Sequence, residues 1–148
     1  MTNFDSLLQK SLATVNDGYE QARQDLENIV SEVDTSLKSN LGDEFAFVAI
    51  EEDINIKGTI YAISLDTETD NRSAPYIPIV SIRIPSTGYP IETGSISKST
   101  GLFTVDGTVL KDSSDIKTFF SAQLENPNSM LIQAIGFALR KRNHIAPF

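Results

Sequence analysis

The acidic side chains of this 148-residue chain are the first place to look for chemistry. Asp66-Thr67-Glu68-Thr69-Asp70 puts an acid at every second position, as an EF-hand loop does. The remaining requirements of that loop are not met. Asn71 stands where the turning glycine belongs, and Ile77 where the bidentate glutamate belongs. The segment 66–75 therefore reads as a solvated polar loop. Glu51-Glu52-Asp53 followed by Lys57 suggests a metal-dependent nuclease, which needs an acid two residues before the lysine. Asn55 occupies that position, and adjacent acids on a strand face opposite ways. A turn between two strands is the expectation for 51–53.

Ser95-Ile96-Ser97-Lys98 matches Ser-x-x-Lys by letter. That motif works when the serine opens a helix, and this segment is rich in Gly, Ser and Thr with no helical pattern. It also lacks the Gly-Lys-Ser/Thr ending of a phosphate cradle. His144 is the single histidine and lies in the tail, so no Ser-His pair or multi-histidine metal site is expected. Arg140-Lys141-Arg142 sits where cations suit a helix C-terminus. With no cysteine, disulfides, thiol catalysis and cysteine-ligated zinc are excluded. No catalytic residue, no metal ligand and no cofactor is assigned, and the chain is read as a non-enzyme.

The charge narrows the partners. Twenty acidic and twelve basic residues give a net −8, which repels phosphate backbones and anionic lipid surfaces. Neither a nucleic acid nor a membrane is expected as partner. The start, Met-Thr-Asn-Phe-Asp, lacks a basic and then apolar leader, and Met130 to Leu139 is too short an apolar stretch to span a bilayer. The expected location is cytoplasmic.

What remains is architecture. Leu8, Leu12, Val15, Tyr19, Ala22, Leu26, Ile29 and Val33 recur at alternating gaps of four and three. That is the heptad rhythm of a helix with one apolar seam, and the eight positions are read as an oligomerisation seam. Asn16-Asp17-Gly18 is a turn signal that could split the segment into a helical hairpin. The rhythm crosses it without a phase slip, which favours one continuous helix ending before Gly42. About 37 helical residues span about 55 Å, whereas the remaining 107 or so residues pack into a body roughly 30–35 Å across. The helix must protrude and pair, or bend back. Beyond Val33 the rhythm loosens to Leu37 and Leu41, which suggests that the last turns pack on the protein's own sheet while earlier turns stay free.

After Gly42 the apolar period becomes two. Phe45 to Ile50 is apolar on both faces and reads as a covered strand. Ile54, Ile56, Ile60 and Ala62 mark a half-exposed strand to about Leu65. Tyr76, Pro78, Val80, Ile82 and Ile84 are placed on one face of the next, with Pro78 indicating a sheet edge. A short strand is expected near Ile91 to Ile96, and Asp106-Gly107 is expected to be a type I′ hairpin turn between 103–105 and 108–110. Ser113 or Ser114 caps one helix, ended by Asn126-Pro127, and Asn128 or Ser129 caps a second to about Arg142.

The expected fold is α+β: a long N-terminal amphipathic helix over 1–42, then a domain over 43–148. That domain holds an antiparallel sheet of about five strands and two C-terminal helices packed on it. The order helix, strands, helices in a small acidic chain resembles class I type III secretion chaperones. The resemblance implies binding of an unfolded stretch of a secreted partner, although two adjacent C-terminal helices depart from that family's alternating order. The leading expectation is a homo-oligomeric protein-binding module or adaptor whose seam assembles it and whose α+β body meets a protein partner. Leu12→Glu with Leu26→Glu is expected to yield a monomer. The alternatives are an acidic inhibitor or immunity-type protein blocking a basic partner, and a small-ligand sensor.

Overall fold

A computed structural model describes residues 3–67, 76–97 and 99–143. Helix α1 (Phe4–Leu41) is followed by strands β1 (Phe45–Asn55), β2 (Gly58–Thr67), β3 (Tyr76–Ile84), β4 (Ile91–Ile96) and β5 (Phe103–Leu110). Helices α2 (Ser113–Glu125) and α3 (Met130–Asn143) close the order. The architecture is α+β, as the periodicities indicate. The five strands form one antiparallel sheet in the order β1-β2-β3-β4-β5, so every connection joins neighbours.

Helix α1 runs unbroken through Asn16-Asp17-Gly18. Asn3 caps it, its Oδ1 accepting from the Ser6 N–H at 3.1 Å, and Gly42 closes it by donating its N–H to the Lys38 carbonyl. Gly18 is there for proximity. A Cβ at that position would overlap the backbone oxygen of Thr87, and one at Gly88 would overlap the backbone of Gly18. The helix thus crosses the β3–β4 connection backbone against backbone, where only glycine fits.

One sheet face carries the core. Phe45 and Phe47 of β1, Tyr61, Ile63 and Leu65 of β2, Ile82 and Ile84 of β3, Ile91 of β4 and Leu110 of β5 are buried there. They form a single cluster with residues of all three helices. Helix α1 lies along β1, α3 lies on β2 and β3, and α2 fills the angle between them. Phe120 of α2 meets the Phe47 ring edge-on at 5.6 Å and the Phe119 ring at 5.2 Å. The 1–42 helix and the 43–148 domain therefore share one core.

Several local expectations are corrected. Glu51, Glu52 and Asp53 lie on β1, beside a bulge, and are exposed. The turn falls four residues later, at Ile56-Lys57, where Asn55 Oδ1 accepts from the Lys57 N–H at 2.8 Å. Asp106-Gly107 is no hairpin turn either. It is a bulge inside β5: the carboxylate of Asp106 turns back to accept from Thr93 Oγ1 at 2.6 Å and from the Thr108 N–H at 2.9 Å. Gly107 takes φ 92° there, a left-handed conformation suited to a bulge. The Thr93 bond and the Thr108 N–H hold the Asp106 carboxyl below the usual range, against the opposing effect of burial.

Pro78 sits on the central strand rather than at the sheet edge. β4 pairs only with residues 81–83 of β3, so Pro78 has no ladder partner on that side to lose. A bulge at Ile79 also flips the alternation, leaving Tyr76 and Pro78 exposed while Val80, Ile82 and Ile84 face the core. Strand β1 is covered over Phe45 to Ile50, as expected, and lies at the edge of the sheet. Asp34 of α1 shields that edge, its Oδ1 accepting from the Phe47 N–H at 2.9 Å. Asp112, rather than Ser113 or Ser114, caps α2, accepting from the Asp115 N–H at 2.9 Å. Ser129 caps α3, accepting from the Ile132 N–H at 3.1 Å.

Candidate functional site

The seam read from the sequence is one stripe on one helix, and the structure divides it. Ala22, Leu26, Ile29 and Val33 are core residues, joined by Val30 and Leu37. Tyr19 is half-buried, its hydroxyl 3.0 Å from that of Tyr61. Val15 is half-exposed, and Leu8 and Leu12 are each 58% exposed. Four of the eight positions are therefore filled by the chain's own sheet and helices. Intramolecular packing begins at Tyr19, well before the Leu37 turn at which the sequence places it.

The outer half gains two residues that the four-three rhythm leaves out. Phe4 is 77% exposed and Leu7 54%. At 3.6 residues per turn, Phe4, Leu7, Leu8, Leu12 and Val15 fall in one arc of roughly 140°, the same arc as the buried positions beyond Gly18. Residues 3–17 carry this stripe about 22 Å past the crossing at Gly18. Phe4, Leu7, Leu8 and Leu12 expose apolar surface on the order of 400–500 Å², within the range of the largest patch on an ordinary monomer, a patch that is often functional. The Leu7-Leu8 doublet was the available signal, since it widens the stripe where a bare heptad would be narrow.

The other exposed large hydrophobics among the described residues lie on other elements, Tyr76 on β3 and Val105 and Val109 on β5 among them. Ile54 and Ile56 sit at a hairpin tip, Leu102 precedes β5, Leu124 is on α2, and Met130 and Phe137 are two turns apart on α3. A shallow groove between α1 and α2, floored by Ile29, Val33, Phe120 and Leu124, holds about 180 Å³. That is below the range of small-molecule sites. A depression of about 410 Å³ is lined by α2 residues alone, with Lys117 and Glu125 as its ionisable groups.

The polar constellations close on themselves. Burial, then the Tyr19 hydroxyl, pushes the Tyr61 phenol well above its ordinary range. Tyr89 donates to Asp25 Oδ2 at 2.6 Å, and burial followed by that carboxylate raises its phenol likewise. Arg83 donates to Glu92 Oε1 at 2.7 Å and lies 5.0 Å over the Phe103 ring. Each group holds two elements together. Among the described residues no group of three or more His, Cys, Asp or Glu is placed to hold a metal ion, and no helix is long and apolar enough to cross a membrane. Asp66 and Thr67 of the expected polar loop end β2, and its other residues, 68–75, lie outside the described residues, as do His144 and Lys98 of the Ser-x-x-Lys match.

Chemically the arrangement offers exposed apolar surface on a helix whose other half is anchored in the core. Comparison with protein-family models, with curated proteins and with solved structures finds no match to this chain.

Proposed function

We propose that this protein is a non-enzymatic, cytosolic assembly module whose binding element is the projecting half of α1. The observation that carries the reading is one stripe with two fates. The same apolar arc is core beyond Gly18, while before it Phe4, Leu7, Leu8 and Leu12 stand in solvent. The body serves as the anchor, which moves the binding element from the α+β body to the helix. The tyrosine, arginine and threonine clusters support a non-catalytic reading, because each is spent on internal partners.

Leu26 is 1% exposed, so the double change Leu12→Glu with Leu26→Glu would unfold the core and is not the right test. The right pair is Leu8→Glu with Leu12→Glu. Light-scattering mass across a concentration series should show wild type rising above the monomer and the variant remaining monomeric, with unchanged circular dichroism and melting temperature. Equal masses for the two proteins at every concentration would sink the reading.

A further inference from the structure

We propose that the projecting half of α1 binds the same segment of a second copy of this chain, running antiparallel to it about a two-fold axis. This rests on the reading of that half as the self-assembly element and adds the orientation in which two copies meet.

The orientation follows from the phase of the stripe. At Val15 the apolar arc passes without a break to Tyr19 and Ala22. From there on, the space facing the arc is filled by the chain's own Tyr61, Tyr89 and β3–β4 connection. A second helix packed against the stripe lies 8–10 Å away on that same side. If it ran parallel, its own residues beyond Gly18 would have to occupy the space already taken by the first copy's sheet. The clash begins within one turn of Val15. Bending at Gly18 cannot relieve it, because that residue is locked against Thr87 and Gly88. An antiparallel helix instead leaves past the tip at Asn3, and its body lies beyond the end of the first.

The length agrees. Residues 4–15 of each copy can overlap short of the other's Thr87-Gly88 connection, giving somewhat under two heptads of contact. The area sets the strength of the contact. Two patches bury on the order of 800–1,000 Å² together, below the roughly 1,200 Å² of stable interfaces and within the range of weak, transient ones, so the dimer is reversible. The stripe is also self-complementary. Asp5, Lys10 and Asp17 lie outside the arc, so identical stripes meet without like charges opposed. Ser11, at the centre of the arc, leaves room for a leucine of the other copy. A two-fold contact of this kind uses one patch twice and closes at two subunits.

The chain contains no cysteine, which makes the orientation directly readable. Asp5→Cys and Asn16→Cys lie on the same margin of the stripe near its opposite ends. The two singly substituted full-length proteins are mixed and treated with a short bis-maleimide, and the products are resolved by mass spectrometry. The mixed Asp5→Cys/Asn16→Cys product should exceed either self-linked product by at least about fivefold, and adding Leu8→Glu to both proteins should abolish it. A dominant Asp5→Cys self-linked product would overturn the antiparallel arrangement while leaving the assembly reading intact, provided the light-scattering mass remains dimeric. A wild-type mass of one subunit at every concentration overturns the assembly reading and this arrangement with it. A dimer mass unaffected by Leu8→Glu with Leu12→Glu overturns the assembly reading itself.

Discussion

The two halves of α1 are nearly indistinguishable as sequence and opposite as structure. Leu8 and Leu12 in the first half and Leu26 and Ile29 in the second belong to the same four-three rhythm. The first two are 58% exposed, whereas the second two are 1% and 8% exposed. The rhythm states that a stripe exists, and the position of the sheet decides which part the chain covers itself. The boundary is the close approach of Gly18 to Thr87 and Gly88. One heptad pattern therefore covers two different environments in this molecule, a half packed into the core and a half exposed to solvent.

The largest expected effect tests that division. Leu26→Glu places a carboxylate in the core and removes a leucine that packs against the sheet, a change expected to cost more than about 4 kcal/mol. Leu12→Glu, made on the same stripe two heptads earlier, should change the stability of the monomer by no more than about 0.5 kcal/mol. Urea unfolding of the two variants at low protein concentration reads the contrast. Comparable losses at both positions would mean that the first half is not free of the body.

The boundary itself gives a smaller and more unusual effect. Replacing a helical glycine by alanine ordinarily stabilises by about 1 kcal/mol. At Gly18 the added methyl meets the Thr87 backbone, which cannot swing aside as a side chain would. The backbone shift costs about 1–3 kcal/mol, so Gly18→Ala should be net destabilising. Asn16→Ala, on an exposed turn just outside the crossing, should instead gain a few tenths of a kcal/mol. If both alanines stabilise, Gly18 is not the pivot that separates the halves.

Much of the fold was legible because most elements bury a face with a regular period. Phe45 to Ile50, Ile82 to Ile84, and the wide apolar arc of α3 reported their elements correctly. The errors sit where a local signal had a distant partner. Asp106-Gly107 looks like a hairpin turn until Thr93, thirteen residues back, supplies a hydroxyl to the carboxylate. Asn16-Asp17-Gly18 looks like a break until Thr87 is seen against the glycine. Ile54 and Ile56 continued an alternation through a turn because the hairpin tip happens to carry exposed isoleucines. The stripe of the candidate site was legible as a pattern. Its extent was not, since exposure depends on where residues sixty positions away in the chain come to lie.

The smallest effect concerns the polar bond that fastens the start of the buried half. Tyr89, in the connection beneath Gly18, donates to Asp25 of α1 at 2.6 Å, and Asp25 also accepts from Gln21 at 2.8 Å. Tyr89→Phe removes the donor and should cost about 1 kcal/mol near neutral pH. Because burial and the Asp25 carboxylate raise the Tyr89 phenol, the fold favours its protonated form. That contribution is complete below the unfolded tyrosine value of about 10 and is lost as pH rises from there through the folded value. The stability gap between wild type and Tyr89→Phe, measured by urea unfolding at pH 8 and again near pH 11, should therefore narrow at the higher pH. Hydrogen exchange locates the consequence. Amides of residues 19–26 should exchange faster in Tyr89→Phe, while those of 30–37, packed on the sheet, should keep their protection. Uniform acceleration across 19–37 would show that the buried half of α1 is released as a single unit rather than unzipped from the boundary, and the contrast between the two halves would then be all-or-none.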